Sequence, residues 1–131
     1  KERLTQICEY LGMAFQIRDD IFDYYSADVG KPTGNDLREG KITLPLLHAL
    51  LETEDTPEGQ HCLELLRERP ITETAVAHLT RYAIEHGGIS YAEGRIADYL
   101  SRAKELLLSY PESVYRHSLI SLADYIGSRT H

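Results

Sequence analysis

Gln16, Asp19, Asp20 and Asp23 are the residues of this chain best suited to binding a cation. In an α-helix, residues three and four apart share a face, so this spacing puts an amide and three carboxylates on one strip, with Ile17, Ile21 and Phe22 largely elsewhere. Acids this close repel one another, and the next cations, Lys31 and Lys41, come only in and after a polar loop. The set offers oxygen ligands alone, which selects Mg²⁺, Mn²⁺ or Ca²⁺ over zinc or copper. Magnesium keeps several waters and completes its shell with phosphate oxygens, so an incomplete cage on a helix suits it better than calcium. A calcium-binding EF-hand is excluded, because the residues after Asp19 lack its order of acids and have Tyr24 where its glycine belongs. Acids and lysines together fit an anion bridged to the carboxylates by a hard divalent ion. On its own, such an acidic triplet is more often a solvated helix face.

The elements that must position these residues are helices. From Leu4 to about Tyr25, Ile7, Leu11, Ala14, Ile17 and Ile21 step by three and four and form an apolar stripe opposite the acids. Gly12 interrupts this helix at a cost of about 1 kcal/mol relative to Ala, as a close neighbour or ligand would require. Residues 28–41 hold glycines, a proline and almost nothing apolar, which reads as a long loop of the kind usually kept for function. Helical patterning resumes at Ile42, with Thr43 as N-cap and Pro45 in the first turn. Thr56 and Pro57 open a short helix ending near Arg69. The next runs from about Thr72 to His86, with Ala75, Leu79, Tyr82 and Ala83 on one face, and Gly87-Gly88 as its stop. Another runs from Ile89 to Ser109 on Ile89, Ala92, Ile96, Tyr99, Ala103 and Leu106. Pro111 begins the last, which carries Val114, Leu119, Leu122 and Ile126. With no β-alternation, the expectation is an all-α fold of about six helices in a single domain, residues 1–131.

Length and composition narrow the function. The chain has 131 residues, 42% hydrophobic and 27% charged, as expected of a soluble globular domain. A net charge of -7 argues against nucleic acid as a partner. Cys8 and Cys62 stand outside any metal-binding or disulfide spacing and read as reduced core thiols. The histidines form no HExxH pair and read as structural or surface residues. No apolar run reaches the roughly 20 residues of a membrane span, and polar residues interrupt any signal-peptide reading of the start. A cytoplasmic setting is the expectation. Lys1 is not an initiator methionine, and helical patterning starts without a cap, as a piece of a longer chain would begin.

Phe15-Gln16-Ile-Arg-Asp19-Asp20-Ile-Phe-Asp23 is followed by Gly30-Lys31-Pro-Thr-Gly34-Asn-Asp36 and then by Gly40-Lys41-Ile-Thr43-Leu44-Pro45. In this order the three segments closely resemble the second aspartate-rich region of the trans-isoprenyl diphosphate synthases, or polyprenyl synthetases. The ordered set FQxxDDxxD, GKxxGxD and GKxTLP is specific and spans about residues 12–47. The ending from Leu122 to Arg129 is a weaker match to the C-terminus of bacterial members.

The resemblance implies the C-terminal portion of the isoprenoid synthase helical fold, and a Mg²⁺-dependent prenyltransferase. Such an enzyme ionises an allylic diphosphate and couples the cation to isopentenyl diphosphate, making polyprenyl diphosphates. Carried over residue by residue, Asp19 would be the direct Mg²⁺ ligand. Asp20 and Asp23 would hold metal-bound waters or orient their neighbours, and Asp36 would support the water shell. Lys31 and Lys41 would grip the allylic diphosphate, and Gln16 would turn its carbonyl toward the developing cation. Phe15 and Phe22, with Leu46 to Leu51, would wall a dry apolar pocket. The family's first aspartate-rich motif and its upstream basic residues have no counterpart here, so less than half of a member is present. The resemblance therefore implies a full-length parent enzyme, homodimeric, and a fragment inactive by itself. Two alternatives remain: a non-catalytic helical subunit or interaction module of the same fold, and a terpene cyclase, which the GKxTLP element disfavours.

Overall fold

The computed structural model describes residues 2–25 and 35–128, Tyr25 by its backbone alone. Every regular element among them is helical: α1 (Glu2–Tyr25), α2 (Asn35–Arg38), α3 (Leu44–Glu52), α4 (Pro57–Arg67), α5 (Glu73–Glu85), α6 (Gly88–Leu108) and α7 (Val114–Ser128). The all-α expectation holds. The described residues fall into two compact units, one joining the chain up to Asp19 with that from Glu93 onward, the other Asp20–Ala92.

In the first unit the apolar stripes meet in a common core. Ile7, Leu11, Ala14 and Ile17 of α1 are buried, as are Ile96, Leu100, Ala103 and Leu107 of α6 and Ala123 and Ile126 of α7. The α6 stripe lies one residue beyond the expected Tyr99 and Leu106, because three-and-four stepping permits either choice and the core takes the smoother helical row. Tyr99 instead meets Tyr10, ring centroids 6.0 Å apart. Arg3 ties the start of α1 to the end of α6, donating to Ser109 Oγ at 2.8 Å with its guanidinium 4.5 Å from the centre of the Tyr110 ring.

In α7, Pro111 does not open the helix. Ser113 does: its hydroxyl accepts from Arg116 N–H at 3.2 Å and its carbonyl from His117 N–H at 3.1 Å, the pairing of an N-cap. Val114 and Leu122, expected on the core face, are exposed at 77% and 44%. Cys8 is also exposed rather than a core thiol, while Cys62 is buried and its thiol is pushed up by that burial. Gly12 has nothing within 4 Å of where a Cβ would stand, so no close neighbour among the described residues requires it.

The second unit packs α3 and α4 on α5 around Leu46, Ala49, Leu50, Cys62, Leu79 and Ala83. Thr56 and Thr72 cap α4 and α5 as expected, accepting from Gly59 N–H at 3.0 Å and Ala75 N–H at 3.1 Å. Gly87, with φ +78°, ends α5, and Gly88 starts α6 rather than extending the stop. A Cβ on Gly88 would run into the Pro45 carbonyl, so glycine there lets α6 begin against α3.

Candidate metal centre

The acids occupy the last two turns of α1, a helix with no basic residue in its final turn. Asp19, Asp20 and Asp23 are half-buried, while Gln16 and Phe15 are exposed. One residue before them Arg18 is only 8% exposed. Its Nε donates to the Ile126 carbonyl and its Nη2 to that of Gly127, both at 3.3 Å, while Nη1 lies 3.6 Å from Glu93. Those carbonyls belong to the last turn of α7, where no intrahelical donor remains. Arg18 therefore ties its own turn of α1 to the end of α7. The sequence held a signal for this: Arg18 stands four after Ala14 and three before Ile21, on the core stripe, where a cation must find buried acceptors.

The stretch read as one long loop contains a helical turn, α2, that is pinned at both ends. Asp23 Oδ1 accepts from Asn35 N–H at 3.1 Å and Oδ2 from Asp36 N–H at 3.2 Å, so the third acid of the strip caps α2. At the other end Lys41 N–H returns to the Asp36 carbonyl at 2.7 Å and Gly40 N–H to that of Leu37 at 2.9 Å. This is a Schellman closure, and it requires the positive φ of Gly40, +83°. Leu37 is buried beneath the turn, and Arg38 forms a bidentate pair with Glu73 at 2.8 and 2.6 Å. None of these anchors carries a helical period, which is why periodicity missed α2.

Asp23, Asp36 and Lys41 are thereby brought together. Lys31 lies outside the described residues. Lys41 is exposed, with its ammonium 3.6 Å from Glu39. Burial, then the charge of Asp23, raises the Asp36 carboxyl above its ordinary value, against the smaller opposing effect of Lys41. Beneath the acids, Tyr24 is buried. Its hydroxyl lies 2.9 Å from Thr43 Oγ1 and accepts from Leu46 N–H at 3.3 Å. Thr43 precedes α3 as expected but makes no side-chain cap; Tyr24 takes the donor instead. Burial pushes the Tyr24 phenol up to about 12 despite those hydrogen bonds.

Among the described residues no three His, Cys, Asp or Glu side chains form a ready-made metal cage. The donor set nonetheless fits a hard divalent ion, since half-buried carboxylates sit where one of them, Asp36, is already driven toward its proton by burial and a neighbouring charge. A cation completed by water and anion oxygens would relieve that strain.

Comparison with known proteins places the chain. Residues 1–83, more than half of it, match the polyprenyl synthetase family. The chain belongs to that family. It is 37% identical over 127 residues to an octaprenyl diphosphate synthase of Haemophilus influenzae, covering 94% of this chain and 37% of that protein. To a nonaprenyl diphosphate synthase of Mycobacterium tuberculosis it is 36% identical, over 98% and 38% of the two chains. The fold is similar to the crystal structure of geranylgeranyl pyrophosphate synthase from Bacteroides thetaiotaomicron, with TM-score 0.82 and 37% identity over 95% of this chain and 40% of that one. It is also similar to the geranylgeranyl pyrophosphate synthase from Corynebacterium glutamicum complexed with calcium and isoprenyl diphosphate, with TM-score 0.81 and 34% identity over 95% and 38%. The chain thus spans about two fifths of the length of these relatives. No helix among the described residues is long and apolar enough to cross a membrane.

Proposed function

We propose that residues 1–131 are the C-terminal helical part of a larger polyprenyl synthetase domain and carry one wall of its diphosphate site. The parent enzyme would condense an allylic diphosphate with isopentenyl diphosphate to make polyprenyl diphosphates, as a cytoplasmic homodimer. This chain alone, without the opposite wall, would not turn over.

Asp19 would be the direct Mg²⁺ ligand, with Asp20, Asp23 and Asp36 holding its waters. Bound there, Mg²⁺ would neutralise charge on the diphosphate leaving group. Lys31 and Lys41 would hold the diphosphate oxygens and stabilise the charge that develops on them. Gln16 would orient its carbonyl toward the allylic carbon, and Phe15 would help keep water from it. The reading is supported above all by the link from Asp23 to α2, which holds the backbone of Asp36 and Lys41 next to Asp23. The calcium and isoprenyl diphosphate bound by the Corynebacterium relative agree in chemical class.

The test is thermal unfolding of this chain with Mg²⁺ and inorganic diphosphate. Ligand binding to the folded state raises the melting temperature, and Asp19→Ala should abolish that rise. A rise that survives Asp19→Ala, or no rise in the unmutated chain, refutes the proposed site.

A further inference from the structure

Two histidines that stand apart in the sequence meet in the second unit. His61 is on α4 and His78 on α5, and the packing of those helices brings their imidazoles to ring centroids 5.6 Å apart, with the ring planes at 73°. Along α5, His78, Tyr82 and His86 recur every four residues on one face. Their rings continue the row, 6.2 Å from His78 to Tyr82 and 4.1 Å from Tyr82 to His86. Tyr82 is 5% exposed, and its hydroxyl donates to Thr53 Oγ1 at 2.6 Å. A buried, hydrogen-bonded ring is a fixed floor for the half-buried His78, whereas His61, on the outside, is exposed and can turn. Neither imidazole has a hydrogen-bond or ion-pair partner among the described residues, so their nitrogens are available.

Two imidazoles that share one ion, each nitrogen about 2.0–2.1 Å from it, hold their centroids roughly 5 Å apart. A small turn of His61 therefore converts the observed pair into a chelate. Imidazole nitrogen suits zinc, nickel and copper, whereas magnesium takes oxygen, so this pair and the aspartates of α1 select different ions. Glu58 and Glu64, one helical turn to either side of His61, are exposed and draw cations toward it, against the single charge of Arg81 one turn from His78. We propose that His61 and His78 form a two-histidine site for a borderline divalent ion of the zinc class, joining α4 to α5. Water completes the shell, since among the described residues no third His, Cys, Asp or Glu side chain joins the pair. The site stands whether or not the chain takes part in prenyl transfer.

The test is calorimetric titration of the chain with Zn²⁺ alone at about pH 7.5, where an ordinary imidazole is neutral, in excess Mg²⁺ to occupy oxygen-only sites. One zinc should bind per chain. His61→Ala and His78→Gln should each weaken that binding at least about tenfold, the lower end of what disturbing a metal site costs. His61 is exposed and alanine is a strong helix former, so the first variant keeps the fold. At about pH 5, where protons compete for the same nitrogens, the binding heat should vanish. The proposal is overturned if no zinc binds, if binding survives His61→Ala, or if it persists at about pH 5. It is also overturned if Cys8→Ser or Asp19→Ala removes the binding instead, since zinc would then sit on the exposed thiol or on the aspartates. The melting-temperature rise given by Mg²⁺ and diphosphate is a separate measurement, so the two sites can fail independently.

Discussion

Asp23 and Asp36 are joined through the backbone: a carboxylate oxygen of the first accepts the amide N–H of the second at 3.2 Å, while its other oxygen takes Asn35. One side chain thus caps α2 and contributes charge to the strip. Removing the cap with Asp23→Ala should cost about 1 kcal/mol, seen as a lower urea midpoint. Asp23→Asn keeps an acceptor and should cost less, yet should lose the rise in melting temperature given by Mg²⁺ and diphosphate. An Asn variant that keeps the rise would show that the charge of Asp23 is dispensable.

Arg18 predicts a different split. Its guanidinium reaches two carbonyls of α7 and approaches Glu93, a geometry no ammonium can copy. Arg18→Leu should destabilise by about 2 kcal/mol, the scale of hydrogen bonds to a charged group, and Arg18→Lys should recover at most about half of that. Equal urea midpoints for the Lys variant and the unmutated chain would refute the fork.

Thr80 is an opportunity for stabilisation. Its Oγ1 is buried without a hydrogen-bond partner among the described residues. A hydroxyl in that state costs about 1–3 kcal/mol of desolvation, and valine keeps the shape without the cost. Thr80→Val should therefore raise the melting temperature, and a fall would mean that the hydroxyl is satisfied in solution.

The Arg38–Glu73 pair sets an acid-side dependence. Hydrogen bonding from Arg38 holds the Glu73 carboxyl below its ordinary 4.5; burial opposes this, and the charge of Arg38 adds a lesser lowering. A depressed carboxyl contributes stability that is complete above the unfolded value and is lost as pH falls through the folded one. The gap in melting temperature between the unmutated chain and Glu73→Gln should accordingly narrow as pH drops below 4.5. Asp36 has the opposite sign: its raised carboxyl imposes a penalty that is present at neutral pH and absent below 3.8. Asp36→Asn removes that penalty, so at neutral pH it should not lower stability through charge. A gap for Glu73→Gln that widens in acid would contradict the assignment.

The helices and the aspartate strip were legible because their signals are local. Ile7, Leu11, Ala14, Ile17 and Ile21 repeat at helical spacing, and all are buried. Thr56 and Thr72 announce their caps, and both act as caps. What escaped depends on contacts distant in sequence. Arg18 meets carbonyls more than a hundred residues away, and α2 exists because Asp23, Leu37 and Glu73 converge on it. Val114 and Leu122 misled because an apolar residue at helical spacing says that a face is to be covered, not by which part of the chain.

The absence of a basic residue from the final turn of α1 has a consequence for the order of binding. The C-terminal end of a helix carries partial negative charge from its carbonyls, and here it adds to Asp19, Asp20 and Asp23 rather than offsetting them. An anion approaching this end alone is repelled by both. A divalent cation is drawn by both, and its arrival reverses the local sign. Diphosphate should therefore have little affinity for the chain in a chelator-treated solution, and should enter together with its metal or after it.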